Sequence, residues 1–183
     1  MKKNPETLSR FKTVVLTALM AAGLCAAVQA APAEIYLVRH AEKLKTADQD
    51  PALSTCGRAQ AKAMAKLIQQ PLTKIYHSGY QRTQQTAELI AATQVAAKLV
   101  AYPAKELPQL AQKLLSLSAP VLIVGHSNTT AELIQLLGSD QVPSIGEQEY
   151  GVLYKLSYKN EGYVLQSSVI QSPELCNTIK PAA

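Results

Sequence analysis

Between residues 34 and 170 the chain switches repeatedly between two spacings of apolar residues. Short β-branched and apolar runs suit buried strands; apolar residues three and four apart suit helices. Glu34-Ile35-Tyr36-Leu37-Val38-Arg39 predicts a first strand, followed by a polar loop rich in Lys, Asp and Pro from 41 to about 51. Ser54 and Thr55 can cap a helix over 57–70, with Ala63 and Leu67 at helical spacing and Pro71 ending it. A second strand is expected over 73–78, a second helix over 82–93 and an edge-like strand over 98–102. Pro103 precedes a helix over 105–117, with Leu107, Leu110, Leu114 and Leu117 on one face. Residues 120–125 form the clearest buried strand and run into a helix over 128–137. Two last strands are expected near 152–158 and 163–170, joined by a hairpin turn over 160–162.

Strands alternating with helices predict an α/β fold: a three-layer sandwich whose mostly parallel central sheet is flanked by helices, with antiparallel strands at the C-terminal end. Ligands of such sheets bind beyond the carboxyl ends of the strands. The first strand ends in Arg39-His40, the second in His77-Ser78, and the clearest buried strand in Gly125-His126-Ser127. The chemically capable side chains therefore converge. One site is expected.

The N-terminal segment stands apart from this pattern. Lys2, Lys3, Arg10 and Lys12 precede a fifteen-residue apolar run, 14–28, and Val28-Gln29-Ala30 places small residues where a signal peptidase reads. The run is shorter than the roughly 20 residues of a membrane-spanning helix. Residues 1–30 are thus expected to be a signal peptide, and 31–183 a single exported domain, periplasmic or secreted, with no stable membrane span after cleavage. Lipoprotein processing at Cys25 is disfavoured by the bulky Leu24.

Removing that segment changes the charge. The chain has 18 basic and 13 acidic residues; without the leader's four basic residues and Glu6, 14 and 12 remain, a net charge of +2. This gives no reason to expect a nucleic-acid partner. Cys56 and Cys176 remain after cleavage and can pair in an oxidising compartment, although sequence does not show whether they meet. Two cysteines without ligand-spaced histidines argue against a zinc site. No other metal or cofactor is expected.

A neutral imidazole attacks phosphorus readily, and the phosphohistidine formed is labile to water. A phosphoryl group in transfer spreads negative charge over three oxygens, which the planar fork of arginine matches. Cations beside a histidine also keep it unprotonated. Each piece alone means little, since a strand-end histidine is usually structural; their convergence gives them weight.

Four ordered segments together resemble a known family. LVRHAEK (37–43), LSTCGRAQA (53–61), SGYQRTQQTAE (78–88) and VGHSNT (124–129) are similar to the motifs of the histidine phosphatase superfamily, also called phosphoglycerate mutase-like. The resemblance implies that His40 is the nucleophile that becomes phosphorylated. It implies that Arg39 and Arg82 grip the phosphoryl oxygens and that His126 donates a hydrogen bond to them. Ser127 and Asn128 would add backbone donors at a helix start. His77 falls on no catalytic position and is read as structural.

Two departures stand out. Ala41 replaces the usual Gly after the first histidine, which is tolerable where φ is negative. No residue matches the Glu that donates a proton in mutase-type members; Glu42 and Glu106 are the carboxylates considered, while Glu147, Glu149 and Tyr150 read as loop decoration. The expected activity is metal-independent hydrolysis of a small phosphomonoester or phosphoramidate through a phosphohistidine. Alternatives are a phosphate-binding protein without turnover on the same scaffold, a phosphomutase, for which little sequence is left to build a lid, and a metal-dependent phosphatase. Oligomeric state is not legible in the sequence.

Overall fold

Side-chain alternation within the first strand decides the layering. In the computed structural model, which describes residues 34–160, 162–171 and Cys176, strand β1 spans Glu34–Arg39. The expected signal segment lies outside the described residues. Ile35 and Leu37 point to one face of the sheet, Tyr36 and Val38 to the other, and all four are buried. A strand apolar on both faces must be covered on both.

The remaining elements supply that cover. They are α1 (Thr55–Ala65), β2 (Lys74–His77), α2 (Gln81–Ala91), β3 (Lys98–Ala101), α3 (Leu107–Leu115), β4 (Val121–Gly125), α4 (Ser127–Leu136), β5 (Val152–Lys159) and β6 (Gly162–Val169). The six strands lie in the order β3-β2-β4-β1-β5-β6. The first four run parallel, and β5 and β6 are antiparallel additions beside β1. Helices α1 and α2 cover one face with Met64, Ala87 and Ile90 over Val38, Ile75 and Leu122. Helices α3 and α4 cover the other with Leu110, Leu114 and Leu133 over Leu37, Tyr76 and Ile123. This is the three-layer α/β architecture that the alternation predicts.

Element boundaries shift for local reasons. Helix α1 starts two residues before the expected 57 because the Ser54 hydroxyl accepts from Gly57 N at 2.9 Å. It ends at Ala65 rather than 70, where i to i+3 bonds tighten the chain through Lys66, Leu67 and Ile68. Helix α4 begins at Ser127, with His126 itself as the N-cap. At the β5–β6 turn Asn160 adopts a left-handed φ of 48°, which asparagine tolerates better than most residues. No helix among the described residues is long and apolar enough to cross a membrane.

Register positions the chemistry. Arg39 pairs with Gly125 across β1 and β4, so the next residues, His40 and His126, leave adjacent parallel strands side by side. His77 pairs with Val124, which brings Ser78 to the same end of the sheet.

Candidate active site

The chain leaving β1 is held by side chains from two helices. His40 N donates to Gly125 O at 2.9 Å, Ala41 N to Thr86 Oγ1 at 3.1 Å, and Glu42 N to Gln60 Oε1 at 2.9 Å. On the returning segment, Leu53 N donates to Gln85 Oε1 at 2.9 Å and Ser54 N to Glu42 O at 2.9 Å. Gln60, Gln85 and Thr86 belong to the sequence motifs, and their task is to fix this loop. Gly57 has a steric role there, because a Cβ on it would lie 1.9 Å from Glu42 O. Ala41 is fully buried and its φ is not positive, so the side chain fits where a glycine is usual.

Hydrogen bonds assign both imidazole tautomers. His40 Nδ1 lies 2.8 Å from Ala41 O. A carbonyl only accepts, so Nδ1 carries the proton and the neutral ring keeps its lone pair on Nε2. For His126 the assignment runs through two hydroxyls. Thr83 Oγ1 donates to Tyr80 O at 2.8 Å, so it accepts from Ser78 Oγ at 3.1 Å. Ser78 has spent its proton and accepts from His126 Nε2 at 2.8 Å. His126 therefore presents an Nε2–H donor while His40 presents a bare nitrogen.

Electrostatics keep both rings neutral. His40 is only 3% exposed. Burial pushes its pKa down to about 3, helped by His126, Arg39 and Arg82 and opposed by the bond to Ala41 O. His126 is pushed down to about 4, again by burial first and then by Arg82 and Arg39, with Asp50 opposing.

The two guanidinium groups are anchored by their outer nitrogens. Arg39 Nη1 donates to Gly146 O at 2.5 Å and Glu149 O at 3.0 Å, and Nη2 lies 3.5 Å from Glu147 Oε2. Its Cζ sits 4.4 Å from the Tyr150 ring centroid. Arg82 is matched on the other side: Nη1 lies 3.4 Å from Asp50 Oδ1, and Cζ is 4.4 Å from the Tyr80 ring centroid. In both arginines Nε is buried and has no partner among the described residues. Buried donors left free in this way are suited to an anion.

His40, Arg39, Arg82 and His126 are thus brought together. His77 is placed as a structural residue: Nδ1 accepts from Gly79 N at 3.3 Å and its carbonyl accepts from Tyr102 N. The reading of 147–150 as loop decoration is corrected. The carbonyls of this segment bond Arg39, folding it over the site, and Arg39, Glu42, Lys43, Lys45, Glu147 and Tyr150 border a cavity of about 230 Å³. Glu42 turns its carboxylate to Ser54 Oγ, 2.7 Å away. Glu106 borders a separate cavity beside Tyr76 and Tyr102 that shares no lining residue with the first. Ser78, expected at a strand end, proves to hold His126; Tyr80 and Asp50 escape sequence reasoning, and the position of Tyr80 just after a strand end is the one signal that could have found it. Among the described residues no three His, Cys, Asp or Glu side chains cluster as metal ligands.

The model of the histidine phosphatase superfamily (branch 1) matches residues 35–104, which include Arg39, His40 and Arg82. No curated protein matches the chain. Among solved structures, the SixA protein of Agrobacterium tumefaciens is similar at 22% identity and a TM-score of 0.55, over 75% of this chain and 99% of that one. The protein histidine phosphatase SixA complexed with tungstate is similar at 17% identity and a TM-score of 0.55, over 79% of this chain and 98% of that one. A mycobacterial glucosyl-3-phosphoglycerate phosphatase with inorganic phosphate is similar at 18% identity and a TM-score of 0.55, covering 75% and 96%.

Proposed function

We propose that this chain, whose residues 35–104 match the histidine phosphatase superfamily (branch 1) model, hydrolyses a small phosphomonoester or phosphoramidate through a phosphohistidine on His40. One observation carries the reading: beside His40, whose Nε2 is bare, two buried donors are free, Arg39 Nε and Arg82 Nε, and His126 carries an Nε2–H that it lends to Ser78 Oγ until an anion arrives. An incoming phosphoryl group finds a nucleophile on one side and hydrogen bonds for its oxygens on the others. The two arginines are already anchored through their outer nitrogens, so little reorganisation of their Nε donors accompanies charge development.

The reaction proceeds in two displacements. His40 Nε2 attacks phosphorus and the P–O or P–N bond to the leaving group breaks. Arg39, Arg82 and His126 hold the transferring group throughout. Water then attacks the phosphohistidine and returns His40 to its starting state. No metal is invoked, because the cationic side chains supply the charge.

Localisation belongs to the same proposal. A signal over residues 1–30 would put the mature domain outside the cytoplasm, where a phosphorylated small molecule or envelope component is the accessible substrate.

Incubating the mature protein with p-nitrophenyl phosphate in EDTA is the direct test. Turnover that His40→Ala abolishes, with a phosphoryl label trapped on His40 in acid-free quench, supports the reading. Tight phosphate binding without turnover, or turnover indifferent to His40, sinks it.

A further inference from the structure

We propose that Glu147 is the general acid of this site, protonating the leaving oxygen as His40 takes the phosphoryl group; this rests on the phosphatase reading above. Glu147 Oε2 is 3.5 Å from Arg39 Nη2, and Oε1 accepts from Ser127 Oγ at 2.8 Å. Arg39 precedes His40 and Ser127 follows His126, so this carboxylate is bracketed by the chain neighbours of both imidazoles. Its side chain is 81% exposed, at the rim of the cavity that Arg39 borders. His40 is only 3% exposed, so a leaving group displaced in line from it departs toward solvent, where the exposed Glu147 carboxylate stands.

The other nearby carboxylates are committed elsewhere. Glu42 Oε1 accepts from Ser54 Oγ at the start of α1. Asp50 Oδ1 accepts from Gln81 N at 2.9 Å and faces Arg82. Glu149 Oε2 accepts from Gly146 N at 3.2 Å. Glu147 differs from Glu42 and Glu149 in that its carboxylate faces an arginine the substrate itself engages, and from Asp50, which faces Arg82, in that no backbone N–H of a helix start holds it.

The step balances. His40 Nε2 forms the N–P bond, the P–O bond breaks with its electron pair on the leaving oxygen, and that oxygen takes the Glu147 proton. In the return step water attacks phosphorus, the N–P electron pair returns to Nε2, and one water proton restores Glu147.

Glu147→Gln tests this by leaving-group dependence, since kcat/KM reports the first displacement. A general acid contributes about 10²- to 10⁴-fold, and less where the leaving group is already acidic. For β-glycerophosphate, an alkyl ester, kcat/KM should fall at least about 100-fold, and for p-nitrophenyl phosphate about 10-fold or less. A loss of equal size on both esters assigns Glu147 to holding Arg39 and overturns the proposal, as does no loss on the alkyl ester. Residual turnover of p-nitrophenyl phosphate reports that the variant is folded; if there is none, Glu147→Asp is assayed on both esters, and failure to recover the alkyl ester preferentially also overturns it. Wild-type protein that hydrolyses neither ester defeats the phosphatase reading and this role together.

Discussion

The His40 and His126 rings meet edge to face, with centroids 5.4 Å apart and planes inclined at 68°. Two imidazoles this close cannot both be cations without strong repulsion, and two arginines beside them deepen the constraint. The pair therefore rests neutral with complementary nitrogens, one bare and one a donor. Tyr80 extends the arrangement, its ring 5.2 Å from His126 and perpendicular to it while also covering Arg82.

The first prediction concerns protonation. At pH 5.5 an ordinary imidazole with a pKa near 6.5 is about nine-tenths cationic. His40 and His126 should remain neutral there, His40 as the Nδ1–H tautomer and His126 as Nε2–H, as read by nitrogen-15 NMR. Ser78→Ala should disturb the His126 signals and leave His40 unchanged. A cationic His40 at pH 5.5 contradicts the geometry.

Stability should follow from the same shifts. Both folded pKa values, about 3 and about 4, lie below the ordinary imidazole value of 6.5. Between pH 6.5 and about 3 the unfolded chain therefore binds more protons than the folded one, and stability falls as pH falls through that window. Thermal unfolding from pH 7 to pH 4.5 should show a declining Tm. The decline should be shallower in His40→Gln, and an equal slope in both proteins would assign it to other groups.

Arg82 depends on Asp50 for its pose. Removing the guanidinium in Arg82→Ala deletes a charge-assisted bond worth about 1.5–3 kcal/mol, so kcat/KM should drop about 10- to 100-fold or more. Asp50→Asn keeps an acceptor for Gln81 N but loses the ion pair. Its effect should be smaller and mainly on KM for the phosphorylated substrate. Steady-state kinetics on both variants decide the order.

Gly57→Ala places a methyl group into the Glu42 carbonyl. Backbone must shift, at a cost of about 1–3 kcal/mol or more. The Tm should fall by several degrees, and activity should fall with it because Glu42 continues the chain from His40. A variant as stable and active as wild type would show that α1 and the loop do not meet as described.

Cys56 and Cys176 form a disulfide that spans 120 residues and ties the start of α1 to the C-terminal tail. The chain-entropy relation gives an upper stabilisation of about 5 kcal/mol for such a loop. Reducing agent should lower the Tm of the wild type and leave that of Cys56→Ser/Cys176→Ser unchanged. Equal responses would mean that the bond does not form in solution.

Much of this molecule is local information. The continuous apolar runs within 34–39 and 120–125, and the helical spacing of Leu107, Leu110 and Leu114, determine the layers because burying apolar faces leaves few other arrangements. Motif order marks His40, Arg39, Arg82 and His126 for the same reason that strand ends collect ligands. What the sequence could not decide is which distant polar groups meet across the sheet end. Arg39 reaches Gly146 and Glu149 more than a hundred residues away, Arg82 reaches back to Asp50, and Cys56 finds Cys176. Such contacts depend on the strand register and on how two aperiodic loops fold over the site. Loop conformation has no repeat in the chain from which to read it; only the assembled tertiary structure supplies the donors and acceptors that select it.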